Sequence, residues 1–397
     1  MTEPVEGIKS EPHEHDEIGE VDLVFIAGNA RSLIANRGDL IRDLQARGIR
    51  VGALVPRVDC LPEVRDLGIP IELIDLRRTG LNPLKDLKAL LQMIRALRRA
   101  RPTWVFSYTI KPVVYGTMAA RLAGVRRRVA MVTGLGFTYT AQSSRARAIR
   151  MLTNLLYRLS LRSCEVVFFQ NPDDVAEMID RSIIKDDKRL VLINGSGVNL
   201  DRFPSHPLPE GEPLFLFIGR LLVEKGVAEF VQAASEVLRR WPSARFVAVG
   251  GLDNTLPHSI DPEELDHWKA SSKVEFIGQV SDVRPWLAQC SVFVLPSYRE
   301  GTPRSVLEAM ATGRPIITTD APGCRETVVD GVNGLLVAPR DSHALARAMS
   351  RYLEEPNMIQ QHADSSCELV LSKYEVGKVN SSILTAMGVI TVTESGT

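Results

Sequence analysis

Seven residues separate Glu300 from Glu308 in the stretch Ser297 to Asp320 (SYREGTPRSVLEAMATGRPIITTD). The apolar run SVFVLP (291–296) precedes it, and a helix is expected to begin near Thr302. The first N–H groups of a helix lack intrahelical partners and carry its positive dipole end, so such a start can hold an anion. Gly301 has no Cβ, which lets a phosphate or a sugar come close to the backbone. One carboxylate at the loop can reach a sugar ring, while the other, about two turns on, accepts hydrogen bonds from two hydroxyls. Two glutamates at this spacing are common on solvated helices. The strand, glycine and helix around them are what give the pair meaning. A second cluster, GRLLVEKG (219–226), follows the run LFLFIG (214–219). Arg220 stands at the expected strand end and Lys225 is expected to open the next helix. Two cations there can clamp a diphosphate and stabilise charge on a departing phosphate. Both clusters follow strand ends in one half of the chain, so both are expected to face one cleft.

The elements that must position them form two similar halves. Expected strands are VDLVFIA (21–27), RVGALVP (50–56), IELI (71–74), WVFSY (104–108), RVAMVTG (128–134), EVVFFQ (165–170) and LVLI (190–193), then LFLFIG (214–219), RFVAVG (245–250), VEFIG (274–278), SVFVLP (291–296) and PIITT (315–319). Helical stretches such as Asn82 to Arg101, Gly226 to Arg240 and Thr302 to Thr312 alternate with them. Apolar strands alternating with helices imply α/β domains with parallel sheets covered on both faces. The Pro- and Gly-rich segment Asn194 to Pro213 is the natural linker. Expected divisions are an acidic tail over 1–20, a first doubly wound domain over 21–200, a second over 201–372, and a final piece over 373–397. Two such domains facing each other make a cleft at the carboxyl ends of their strands. A dehydrogenase is disfavoured, because AGNARSLIANRG (27–38) after the first strand is not G-x-G-x-x-G.

Composition narrows the class further. The chain is 45% hydrophobic, 24% charged and 6% aromatic, which excludes disordered and collagenous proteins. Five scattered cysteines, without a Cys-x-x-Cys pair, argue against a disulfide framework or structural zinc. The first twenty residues lack the apolar run of a signal peptide, so a cytoplasmic location is expected. Net charge is zero, yet residues 1–20 carry −6, residues 21–170 carry +15 and residues 171–397 carry −9. A basic half suggests an anionic partner. No nucleic-acid motif accompanies it, so nucleic acid is not expected. Arg95, Arg98, Arg99 and Arg101 close one helix, and Ala141 to Ser163 carries five arginines and no acid. Ile149, Leu152, Leu155, Leu156 and Leu159 recur there at helical spacing, fitting either a core-facing helix or one lying on anionic lipid.

Gly219 to Gly226 together with Glu300 to Glu308 resembles the donor-binding signature of family 4 retaining glycosyltransferases of the GT-B fold. The resemblance spans roughly residues 21–385, and the E-x7-E segment with its Ala309-Met310-x-x-Gly313 tail is its most specific part. In the first half, YTIKPVVYGTMAARLAG (108–124) and VTGLGFTY (132–139) resemble the CapM-like and PglA-like branch. That branch builds capsule, exopolysaccharide and protein-linked glycans on undecaprenyl diphosphate.

The resemblance implies residue roles. Arg220 and Lys225 would bind the donor diphosphate, Glu308 the ribose hydroxyls, and Glu300 the transferred sugar near its reacting carbon. Gly301, Thr302, Arg304 and Ser305 would meet phosphate or sugar, and Phe276, Ile277 and Gly278 the base. Gly28 would lie beneath the diphosphate, with Gly219 at the facing strand end. Thr133, Gly134 and Gly136 would line the acceptor side, and Lys111 would meet the acceptor's diphosphate. Tyr374 to Met387 resembles the helix that crosses back to the first domain. Two departures stand out. Gly28-Asn29 replaces a common glycine pair, and TGLGF (133–137) lacks the histidine many members carry, so no general base is named. The implied reaction moves a hexose or N-acetylhexosamine from a UDP-sugar to a polyprenyl-diphosphate-linked saccharide, with no cofactor or metal. The expected setting is the anionic inner face of the cytoplasmic membrane, held peripherally through 95–101 and 141–163. GDP-mannose as donor, or a catalytically silent assembly partner, are the alternatives.

Overall fold

The computed structural model describes residues 17–390, apart from 57–63, 65, 77–81, 137–138, 140–143, 186, 188, 254–255 and 257 and the side chains of 144–146. The expected tail therefore lies mostly outside the described residues, as do Cys60 and Phe137. Runs of β-branched and aromatic residues become seven strands in the first half: β1 (Leu23–Ile26), β2 (Val51–Pro56), β3 (Ile71–Ile74), β4 (Trp104–Tyr108), β5 (Arg127–Val132), β6 (Val166–Phe169) and β7 (Leu190–Leu192). They lie parallel in the order β3-β2-β1-β4-β5-β6-β7. Between them run α1 (Arg31–Ala46), α2 (Pro83–Ala100), a π-helical turn (Pro112–Gly116) leading into α3 (Thr117–Leu122), α4 (Ser144–Leu161) and α5 (Pro172–Asp180). Asn82 and Asn171 cap α2 and α5, each followed by proline at the first helical position.

The second half holds β8 (Leu214–Ile218), β9 (Arg245–Val249), β10 (Val274–Gly278), β11 (Val292–Leu295), β12 (Ile316–Thr319) and β13 (Gly334–Val337), again parallel, in the order β10-β9-β8-β11-β12-β13. Its helices are α6 (Val227–Arg240), α7 (Pro262–Ser271), α8 (Arg284–Gln289), α9 (Arg304–Ala311), α10 (Ser342–Glu354) and α11 (Asn357–Leu369), and α12 (Val376–Ala386) follows. The strand reversal points lie between β1 and β4 and between β8 and β11, where a doubly wound sheet opens its ligand crevice. β13 is absent from the sequence reading. Its run, GLLV, opens on glycine and is set between Gly-, Asn- and Pro-containing turns (DGVNGLLVAPRD), which read as loop.

Helices cover both faces of the first sheet. Phe25, Phe106, Tyr108, Met131 and Phe168 pack beneath α1, whereas Val105, Ala130, Val132 and Val167 turn toward α2, α3 and α4. The last helix, α12, joins the α1 side: Val379, Ile383 and Leu384 are buried in that core. The chain thus crosses between halves twice. The crossings pair with each other, Val198 N–H donating to Tyr374 O at 2.9 Å and Val376 N–H to Val198 O at 3.0 Å. Among the described residues no helix is long and apolar enough to cross a membrane.

Candidate active site

Strand ends bring the two predicted clusters together. After β8, Gly219 and Arg220 lead into a 3-10 turn, Val223–Lys225, and Gly226 at φ 73° redirects the chain into α6. Lys225 therefore sits in the turn before the helix and does not open it as expected. It reaches Glu300: the ammonium donates to Glu300 Oε1, and both side chains are mostly buried. Ser297 Oγ donates to the same oxygen at 2.7 Å, with Glu224 O at 3.0 Å as its other acceptor. The carboxylate that follows β11 is thus held from two sides before any ligand arrives.

α9 begins at Arg304, two residues later than expected, with Pro303 extended at its N-cap. The later start leaves Gly301 and Thr302 as loop at the cleft. Arg304 Nε donates to Glu308 Oε1 at 2.7 Å, one helical turn along. Glu308 is buried, and burial raises its carboxyl above the usual range, opposed by the charges of Arg304 and Arg202. Arg220 pairs with Asp253 at 3.2 Å and keeps its guanidinium partly exposed. Gly278, at the end of edge strand β10, accepts from Gly250 N–H at 2.9 Å; Phe276 stacks on Trp268 with centroids 6.4 Å apart. β10 lies two strands from β8, about 10 Å at ordinary strand spacing, roughly the reach from a diphosphate to a base.

The facing half closes on this loop. Asn171 Nδ2 donates to Gly301 O at 3.1 Å and to Glu300 O at 3.3 Å, and Thr302 Oγ1 donates to Gln170 O at 3.1 Å. Two ion pairs also cross, Arg299 with Asp174 and Arg325 with Asp173 at 2.9 Å. Asp174 is fully buried; burial raises its pKa, and Arg299 pulls it back. A Cβ at Gly301 would come closer than 3.0 Å to Thr133 O and Gln170 Oε1. The missing side chain at 301 thus admits the facing domain's backbone, whereas the sequence suggested a phosphate or sugar. Gly134, at φ 115°, stands against Gly301 N from the other side.

Comparison with known proteins decides what this arrangement belongs to. Residues 212–355 match the family described as Glycosyl transferases group 1, and residues 36–195 match the Glycosyl transferase 4-like domain. The N,N'-diacetylbacillosaminyl-diphospho-undecaprenol alpha-1,3-N-acetylgalactosaminyltransferase of Campylobacter jejuni is 32% identical over 84% of this chain and 90% of its own. The chain is a group 1 glycosyl transferase. The capsular polysaccharide biosynthesis glycosyltransferase CapM of Staphylococcus aureus is 25% identical over 73% of this chain and 77% of its own. Among solved structures, Anabaena HepE in complex with UDP-glucose superposes with a TM-score of 0.76 at 17% identity, over 94% of this chain and 100% of that one. That likeness establishes the GT-B fold of the glycosyltransferase, two parallel-sheet α/β domains.

Not every residue expected at the site of this glycosyltransferase reaches the cluster. A Cβ at Gly28, just past the end of β1, would meet Thr109 and Pro112, and one at Gly136, at φ 68°, would meet Ile110 among the described residues. Lys111 is mostly buried and pairs with Asp86 at 2.7 Å, whose other oxygen accepts from Tyr115 at 3.2 Å; its charge joins α2 to the π-turn. Ser305 lies half-buried in the first turn of α9. Conversely, Ser297, Asn171, Gln170, Asp174 and Arg299 were not singled out from sequence. Asn171-Pro172 is a legible helix start, but its target carbonyls lie some 130 positions away. On the basic helix α4 the core face is made by Tyr157 and Leu161, whereas Met151 (74% exposed) and three of the apolar positions expected to share one face, Leu152, Leu155 (50%) and Leu159, face out.

Proposed function

We propose that this glycosyltransferase moves a hexose or N-acetylhexosamine, with retention, from a UDP-sugar to a saccharide on polyprenyl diphosphate. The observation that carries the reading is the Lys225–Glu300–Ser297 cluster at the carboxyl ends of β8 and β11, with the buried Glu308 on the helix that follows. The names of the Campylobacter jejuni relative and of an Escherichia coli one, a UDP-Gal:alpha-D-GlcNAc-diphosphoundecaprenol alpha-1,3-galactosyltransferase, support donor and acceptor class. Arg220 and Lys225 bind the donor's diphosphate, Glu308 the ribose hydroxyls, and Glu300 the sugar. When the sugar–phosphate bond breaks, charge collects on the leaving phosphate, where the two cations and the start of α9 lower its energy. A leaving-phosphate oxygen takes the proton of the acceptor hydroxyl, which bonds to the sugar from the same face.

The acceptor places the enzyme at a lipid surface. The exposed leucines of α4, with Leu84, Leu87 and Leu91 on α2, lie on one side of the first sheet among Arg95, Arg98, Arg147 and Arg158. Apolar side chains entering the headgroup boundary, and about 1 kcal/mol per basic residue near anionic lipid, support peripheral attachment there. Met151→Glu combined with Leu155→Glu should abolish co-sedimentation with phosphatidylglycerol-containing vesicles while leaving nucleotide binding intact. Unchanged sedimentation would remove this face from the reading.

The donor is tested by melting the protein with UDP, GDP, ADP or NAD. A nucleotide at about 100 times its dissociation constant adds roughly 2.7 kcal/mol and visibly raises the melting temperature. UDP should shift the wild type, and Lys225→Ala should lose most of that shift. A shift with GDP alone would redirect the reading to mannose transfer, and no shift with any nucleotide would overturn it.

A further inference from the structure

Arg37 projects from the middle of α1 toward the carboxyl ends of β4 and β5, and it is 2% exposed. Its guanidinium stands over Tyr108, the last residue of β4, at 5.4 Å from the ring centroid, and one terminal nitrogen meets the thioether of Met131 near the end of β5. Neither is a counter-ion, and a thioether is a weak acceptor. Among the described residues no carboxylate pairs with Arg37, and its buried Nε has no hydrogen-bond partner. Ser32 Oγ donates to Asn29 O at 2.6 Å and so receives the Tyr108 hydroxyl proton at 2.9 Å; Arg37 lies over the Tyr108 ring and makes no hydrogen bond to that hydroxyl. Burial, together with the positive charge of Arg304 from the facing domain, lowers the Arg37 pKa to about 10. Arg304 also has a buried nitrogen without a partner, Nη1, although its Nε holds Glu308.

A buried cation that is not paired is among the most costly arrangements a fold can keep. An apolar residue of the same length would fill this place at lower cost. Two arginines from opposite domains, each with an unused donor, have one chemical complement: a multivalent oxyanion that accepts from both. We propose that Arg37 is a phosphate-binding residue of the transfer site, meeting from the first domain a diphosphate that Arg304 meets from the second. The inference rests on the cleft being the diphosphate site argued above. A diphosphate is present on both substrates of that reading, so the ligand chemistry is shared by the nucleotide and the lipid-linked acceptor.

The two roles open to Arg37, packing plate or phosphate ligand, predict opposite pairings of stability and affinity. Arg37→Met keeps length and volume and removes the unpaired charge. As a phosphate ligand, Arg37 gives a variant whose ligand-free melting temperature is unchanged or raised. Its affinity for UDP and for inorganic pyrophosphate, measured by calorimetry, falls about 10- to 100-fold, the worth of a charged hydrogen bond, while affinity for uridine is unchanged. If UDP and pyrophosphate binding hold but KM for the polyprenyl-diphosphate acceptor rises by that factor, the anion is the acceptor's, and Arg37 is still its ligand. A variant with wild-type UDP affinity, pyrophosphate affinity and acceptor KM overturns the proposal. Should Arg37→Met fail to fold, Arg37→Lys retains charge with fewer donors: a UDP affinity or acceptor KM between wild type and tenfold weaker supports the proposal, and values equal to wild type on both overturn it. Failure of the wild-type protein to bind UDP at all is a separate result, and counts against the donor reading.

Discussion

Glu300→Gln should lower kcat by about 10²- to 10³-fold, the range lost when one preorganised electrostatic partner of a reacting centre is removed. The substitution keeps the size and planarity of the side chain, and Ser297 Oγ can still donate to the amide oxygen. What disappears is the negative charge opposite Lys225. In the resting enzyme Lys225 is held by Glu300, so an incoming diphosphate must share the ammonium with that carboxylate. Neutralising the carboxylate frees the cation, and UDP should bind as well as to the wild type or somewhat more tightly. Lower turnover combined with undiminished nucleotide affinity separates a residue acting on the sugar from one that merely supports the loop. Calorimetry with UDP and initial rates with the UDP-sugar turned over best by the wild type would provide both numbers. Wild-type turnover would remove Glu300 from the reaction.

Gly301→Ala acts on the other side of the same loop. The added methyl would point into Thr133 O and the Gln170 amide oxygen, and the first of these is backbone of the facing domain, which cannot turn aside. The loop must then withdraw, or the two halves must part by a similar distance, and the bonds from Asn171 to the Glu300 and Gly301 carbonyls weaken with them. A misplacement approaching 1 Å at a reacting centre costs about 10²-fold in rate. UDP affinity should fall less than kcat, because Arg220, Lys225 and Glu308 all belong to the second domain and only the contact from Arg37 is drawn back with the first. A loss of roughly 100-fold in kcat with a loss of less than about tenfold in UDP affinity is the expected result. Equal kcat would mean that the halves do not meet at this point during transfer.

The sheets were legible because their strands are short runs rich in Val, Ile, Phe and Leu, buried on both faces in the sheet centres and partly so at the edges, and the chain repeats such runs twelve times at the expected places. β13 escaped because GLLV opens on glycine and follows a turn rich in Gly and Asn. The residues proposed for the donor side are placed by local order in the sequence: Arg220, Lys225 and Glu300 follow strand ends of one domain, and Glu308 lies on the helix that the Glu300 loop leads into. The clasp was not legible. Asn171, Asp173 and Asp174 meet partners in the other half only because the two sheets face each other at one angle, which periodicity does not encode. Arg37 was hidden by its own helix, where an arginine every few residues reads as a solvated face, and only burial distinguishes this one from Arg31 or Arg42. Lys111 shows the converse. A lysine in a suggestive motif is occupied by an aspartate 25 positions earlier.

The return of α12 to the first domain sets an order of events during synthesis. Val379, Ile383, Leu384 and Met387 complete a core whose other buried members, from Leu23 to Ile193, have all left the ribosome much earlier. Roughly 180 residues separate the end of β7 from α12, so at about 5–20 residues per second the first domain waits some ten to forty seconds with part of its α1 face uncovered. The second domain, by contrast, holds all its core residues in one continuous stretch from Val198 to Tyr374 and can close as soon as it emerges. The half made last is therefore the first able to finish, and the earlier half stays open to chaperones until the final helix arrives.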